Sequence, residues 1–169
     1  MPLQEIESTI EFVLRNAGRI KTCVEEKRLD SGAGRDSNSG GGRGSRISNP
    51  TAAQALQRVA PIAYIHCPFG PIINGRRDAK YIRLPEKWLQ VEDATRCFYM
   101  TSDNKRVKTI YERRYLQGEY GETWEKTCRD LGITHNWYYV VVHDIIRFAE
   151  IYASGIGLIS PYIRFSRFE

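Results

Sequence analysis

The run from Ser31 to Ser48 constrains this chain most, because it holds 6 of the 14 glycines together with five serines. Such a stretch has too little apolar surface to bury and reads as a flexible linker, with a root-mean-square reach of about 20–25 Å. The fold must then be assembled from what lies on either side of it. Within the run, Gly40-Gly41-Gly42-Arg43-Gly44 lacks the Lys-Ser/Thr ending of a phosphate-binding loop, and no strand pattern precedes it. No nucleotide cradle is expected there.

Residues 1–30 form the first side. Ile6, Ile10, Val13, Leu14, Ala17, Ile20 and Val24 recur every three or four positions, the stripe of an amphipathic helix. This helix is predicted from Leu3 to Leu29, ending at Asp30-Ser31-Gly32. Two fates are open to its stripe: pairing with a second copy of the chain, or folding back onto the rest of the molecule.

Residues 49–102 begin with Asn49 as N-cap and Pro50 as first helical residue of a helix through Ala60, which Pro61 closes. Ile62 to His66, Pro71 to Ile73 and Lys80 to Leu84 are short β-prone runs around the turn signal Asn74-Gly75, so a small hairpin is predicted. Pro85 then opens a helix reaching Met100. Residues 103–157 read as a helical domain: Asp103 capping Lys105 to Leu116, Thr123 capping a short helix through Leu131, and Thr134 starting a long helix to Ala153. Gly118 to Gly121 separates the first two. The tail, 158–169, alternates aromatic residues and arginines from Tyr162 to Phe168. The expected fold is mainly α, with a long N-terminal helix, a flexible Gly/Ser linker, a small β-hairpin and a C-terminal helical domain containing a helix-turn-helix.

The stretch from Trp124 to Val141 carries the functional expectation. Two helices that cross closely need a small residue at the contact, here Cys128, and an apolar anchor one turn later, here Leu131. Their sharp turn needs a residue that tolerates positive φ, here Gly132. Ile133, Tyr138 and Val141 then pack the second helix on the first, while Thr127 stands where a larger apolar residue is usual. In this frame Thr134, His135, Asn136, Tyr139, Val140 and His143 lie on the outward face at the start of the second helix, where they would enter a major groove. Asn136 suits bidentate pairing with adenine, Thr134 and His135 suit base edges or phosphate, and Val140 suits a thymine methyl. Thr123, Lys126, Arg113 and Arg114 are the candidate phosphate contacts. Trp137, Tyr138 and Tyr139 could serve as stacking platforms or as core.

Charge tempers this reading. The chain is +5 overall with a pI near 9.1, yet the excess lies in residues 1–84, and residues 103–150 hold 8 basic and 8 acidic side chains. A polyanion site in the second half would have to rely on local geometry rather than on a bulk field. Four cysteines spaced 44, 30 and 31 positions apart make neither a metal cage nor a disulfide framework, and His66 beside Cys67 reads as incidental. Three histidines and scattered acids, Glu122, Glu125 and Asp130 among them, offer no nucleophile and base at recognisable spacing. Neither an enzyme nor a cofactor is expected. No apolar run is long enough for a membrane span and no secretory signal is visible, so a cytoplasmic location is expected.

Ile47-Ser48-Asn49-Pro50-Thr51-Ala52-Ala53-Gln54-Ala55 after a Gly-rich linker, and Leu84-Pro85-Glu86-Lys87-Trp88-Leu89, resemble the RinA-type phage transcriptional activators. So does Tyr115-Leu116 through Thr123-Trp124-Glu125, Cys128, Leu131-Gly132-Ile133 and Tyr138-Tyr139 to Ile145-Ile146, a part similar to the promoter-reading helix-turn-helix of bacterial sigma factors. The likeness covers roughly residues 47–159. It implies a cytoplasmic, sequence-specific DNA-binding regulator that activates late genes of a phage or prophage with host RNA polymerase. The chain departs from the family at Val140-Val141-Val142-His143, where members tend to carry Arg and Trp.

The expected partners are therefore double-stranded DNA, host RNA polymerase and a second copy of the chain, with dimerisation through the first helix or the aromatic tail. The competing reading is a phage protein-protein interaction or DNA-packaging protein, like a small terminase subunit, built on the same fold. Its partner surface would be the Tyr162–Phe168 segment.

Overall fold

A computed structural model describes residues 3–33, 60–70, 72–73, 76–77, 79–117 and 123–160. Five helices dominate the described residues: α1 (Leu3–Ala33), α2 (Pro85–Met100), α3 (Lys105–Tyr111), α4 (Trp124–Leu131) and α5 (His135–Gly155). The Glu112–Leu116 segment continues α3 as a π-helical turn. Four short strands make two antiparallel pairs nested in sequence, β1 (Tyr64–Cys67) with β4 (Lys80–Arg83), and β2 (Ile72–Ile73) with β3 (Arg76–Arg77). The mainly helical fold with a small β-hairpin is as expected. The glycine-rich core of the linker, the helix proposed from Asn49 to Ala60, the Asn74-Gly75 and Gly118–Gly121 turns and the aromatic tail fall outside the described residues, apart from Ala60 and residues 158–160.

The chain divides into two compact units, one comprising 1–17 and 87–169, the other 18–86. The chain crosses between them inside α1 and again at Glu86–Lys87. Near the first crossing the helical path of α1 is broken at Asn16, with φ −121° and ψ 17°. The Asn16 side-chain amide donates to the Phe12 carbonyl at 2.9 Å, a local bond that competes with the helical ladder. At its far end α1 runs through Ala33 instead of stopping at Leu29. A glycine inside a helix costs only about 1 kcal/mol. Arg28, ion-paired with Glu86, and Lys27, which donates to the Tyr64 carbonyl at 2.6 Å, hold the last turns.

In the unit of 18–86, the exposed–buried alternation of β1 sends Ile65 and Cys67 inward and leaves Tyr64 and His66 outside. Ile82 on β4 joins the buried side opposite Ile65. Ile20 and Val24 of α1 are buried in the same unit, and Arg19 lies 4.2 Å from the centre of the Phe69 ring. Burial pushes the Cys67 thiol up to about 12, with Cys23 adding to the effect, so Cys67 is an inert core thiol at neutral pH.

In the other unit, Ile6, Ile10, Val13 and Leu14 of α1 are buried together with Trp88, Val91 and Tyr99 of α2, Ile110 and Tyr111 of α3, and Tyr138, Val142, Ile145 and Ala149 of α5. The helix stripe that could have met a second copy is thus covered within the chain. Tyr99 stacks on Tyr111 at 5.7 Å and Phe98 on Phe148 at 4.5 Å. Two hydroxyls, Tyr111 Oη and Thr127 Oγ1, are buried with no hydrogen-bond partner among the described residues. The cap of α3 is Asn104, one residue past the expected Asp103; its Oδ1 accepts from the Arg106 and Val107 amides at 3.1 and 3.4 Å.

Candidate nucleic-acid interface

The candidate site begins at Thr123. Its hydroxyl accepts from the Lys126 amide at 3.4 Å and so starts α4. Gly132 closes α4 in the left-handed region, φ 60° and ψ 43°. The next two amides bond backward, Gly132 to the Arg129 carbonyl at 3.3 Å and Ile133 to the Cys128 carbonyl at 3.1 Å. This pair of bonds satisfies carbonyls that the helix end would otherwise strand. Thr134 then caps α5, accepting from the Trp137 amide at 3.3 Å. Three residues thus link the helices, with the end of α4 and the start of α5 both capped, and α4 and α5 pack on each other. Cys128, Tyr138 and Val141 are buried, while Ile133 is half-buried.

Past the turn, Thr134, His135, Asn136, Val140 and His143 are exposed and Tyr139 is half-buried. These six residues therefore share the outward side that the sequence assigned to them. Asn136 holds its amide in solvent, and Val140 shows more than half of its surface at 56%. A ring cluster accompanies them. Trp124, the first residue of α4, lies 4.5 Å edge-on from His135, and His135 lies 4.6 Å from Tyr139. The place of Trp124 beside the start of α5 escaped sequence reasoning. Its only sequence signal was a large aromatic directly after an N-cap, and the contact depends on the angle of the turn.

The supposed phosphate contacts divide. Thr123 and Lys126 are exposed at the N-terminal end of α4. Arg113 is drawn to Asp130 at 2.8 Å. Arg114 is a correction to the sequence reading: its side chain is only 15% exposed, ion-paired with Glu11 of α1, and donates to Tyr138 Oη at 3.2 Å and Tyr115 Oη at 3.3 Å. The reason lies in helical spacing. Arg114 falls seven residues after Val107, on the same stripe as the buried Ile110, Tyr111 and Tyr115, and a carboxylate 103 positions away makes that place tenable for a cation. Burial opposes its charge, but Tyr115, Glu11 and Tyr138 outweigh burial and raise its pKa, so Arg114 stays charged. It cannot reach out to a phosphate without abandoning these bonds.

The described residues hold no cluster of three or more His, Cys, Asp or Glu side chains suited to a metal ion, and no helix among them is long and apolar enough to cross a membrane. Comparison with known proteins gives no match, whether to a family model, a curated protein or a solved structure.

Proposed function

We propose that this chain is a sequence-specific DNA-binding transcriptional regulator that reads a major groove with the first turns of α5. The observation that carries the reading is the exposed polar set Thr134, His135 and Asn136, placed directly after a left-handed glycine turn and next to a capped, closely packed α4. Three hydrogen-bonding side chains left in water at the N-terminal end of a second helix are what base readout requires. Thr123 and Lys126 would set register on the phosphates. The resemblance to the RinA-type activators supports a role at phage or prophage late promoters together with host RNA polymerase. Binding alone would do the work, with no chemistry.

A second reading, in which the same outward face meets a protein, is favoured by Val140 and by the commitment of Arg113 and Arg114 to partners within the chain.

The test is selection from a random duplex library with the full chain, followed by binding of the selected sequence over a salt series. A consensus with a steep log-salt slope is the expected result. Asn136→Ala should relax preference at one base position, a loss of about 1–3 kcal/mol there, and leave the others unchanged. If no sequence is enriched, or if Asn136→Ala weakens every duplex alike, the proposed readout by α5 is wrong.

A further inference from the structure

The outer face of the β1–β4 pair is occupied by Tyr64, His66, Tyr81 and Arg83, all exposed and none acidic. Tyr64 is 55% and Tyr81 67% exposed, an unusual outlay of aromatic surface on a strand pair whose other side already buries Ile65, Cys67 and Ile82. Register places Tyr64 opposite Arg83 and His66 opposite Tyr81, so the tyrosines sit on the diagonal of one face. The His66 and Tyr81 rings meet at 4.9 Å, which holds Tyr81 in place, and the Lys27 ammonium lies 4.1 Å from the centre of the Tyr64 ring. The nearby carboxylate of Glu86 is ion-paired with Arg28. Among the described side chains of the unit of 18–86, Arg19, Lys21, Lys27, Arg28, Lys80 and Arg83 stand against Glu25, Glu26, Asp30 and Glu86, an excess of positive charge that favours a polyanion.

We propose that this face is a stacking platform for single-stranded nucleic acid. Two exposed tyrosine rings on the diagonal of one sheet face, Tyr64 backed on one side by the Lys27 ammonium and flanked by Arg83, offer what an unpaired strand needs: rings for its bases and cations for its phosphates. Positive charge complements a nucleic acid rather than an acidic surface alone because the rings need flat partners. In a duplex the faces of the bases are already stacked on each other, so the rings select the single strand. This proposal is independent of the helix-turn-helix reading and goes beyond it; loss of duplex readout by α5 would leave it standing.

The test uses the full chain and a fluorescein-labelled oligothymidylate, with a mixed-sequence duplex and inorganic polyphosphate as competitors. Anisotropy should show binding that Tyr64→Ala and Tyr81→Ala each weaken about tenfold, while Tyr64→Phe and Tyr81→Phe retain it, because stacking uses the ring and not the hydroxyl. Arg83→Gln should flatten the salt slope. Photo-crosslinking of the parent chain to an iodouracil-bearing strand, with adducts at Tyr64 or Tyr81, gives a readout that no alanine variant has to fold for. Failure of the parent to bind, polyphosphate or duplex competing as well as the single strand, undiminished binding by both alanine variants, or crosslinks lying wholly elsewhere would each overturn the proposal.

Discussion

The two units divide attraction and geometry between them. The unit of 18–86 is +6, whereas the unit that contains α4 and α5 holds 13 Lys/Arg against 14 Asp/Glu and is −1. In the first, Tyr64, Tyr81 and Arg83 stand out on a strand face; in the second, Arg114 is drawn inside and Arg113 is paired with Asp130. A helix-turn-helix with so little free positive charge must depend on shape, on caps and on a few polar side chains. The lesson is that the +5 of the whole chain says nothing about the unit in which the turn motif sits.

This contrast can be broken most forcefully at Arg114. If it is an internal tie rather than a surface cation, Arg114→Ala should destabilise its unit by about 3 kcal/mol, because Glu11 and two tyrosine hydroxyls lose their shared partner. Urea unfolding would measure this, together with faster amide exchange in α5. An unchanged midpoint with weaker binding of every duplex would return Arg114 to the phosphate surface and erase the distinction between the units.

Gly132→Ala comes next. Its φ of 60° penalises any L side chain, although nothing lies within 4 Å of the added Cβ. The expected loss is about 1–2 kcal/mol, all of it conformational. Calorimetry on the variant would test it, and a neutral result would show that the turn can be made in another way.

Thr127→Val should go in the opposite direction. The threonine is buried in α4 with an unpartnered hydroxyl, so replacing that group by a methyl of similar size should add about 1 kcal/mol of stability. The same urea series would reveal it as a higher midpoint, and a lower one would mean that the hydroxyl has a partner.

The smallest expected effect sharpens the electrostatic side. Burial raises the Glu92 carboxyl pKa, partly offset by Arg96 with its Nε at 3.3 Å. The folded state therefore keeps a proton that the unfolded chain has lost, and stability falls as pH rises from the ordinary carboxylate value through the raised one. Glu92→Gln should remove that fall and be relatively more stable above the window. A pH series of unfolding midpoints for both proteins would check the sign.

Much of the site was legible beforehand because its signals are local. Thr123, Gly132 and Thr134 act within four residues of themselves, through a hydroxyl on an amide or a backbone that tolerates positive φ. The exposure of His135, Asn136 and His143 follows from helical period once Tyr138 and Val141 face inward. Arg114 and Trp124 were misjudged or overlooked because their partners, Glu11 and His135, lie 103 and 11 positions away. The cap of α3 was missed for a smaller reason, since Asp103 and Asn104 are both good caps and only the chain path chooses between them.

By itself, then, the sequence determined the mainly helical class, the hairpin, the tight turn between α4 and α5 and the polar side of α5, since period, capping and left-handed glycine operate over a few residues. Only the tertiary structure decided that the first half of α1 is core and that Arg114 is an inner tie. Those outcomes depend on which distant side chains meet, and nothing in a local window encodes a meeting across a hundred residues.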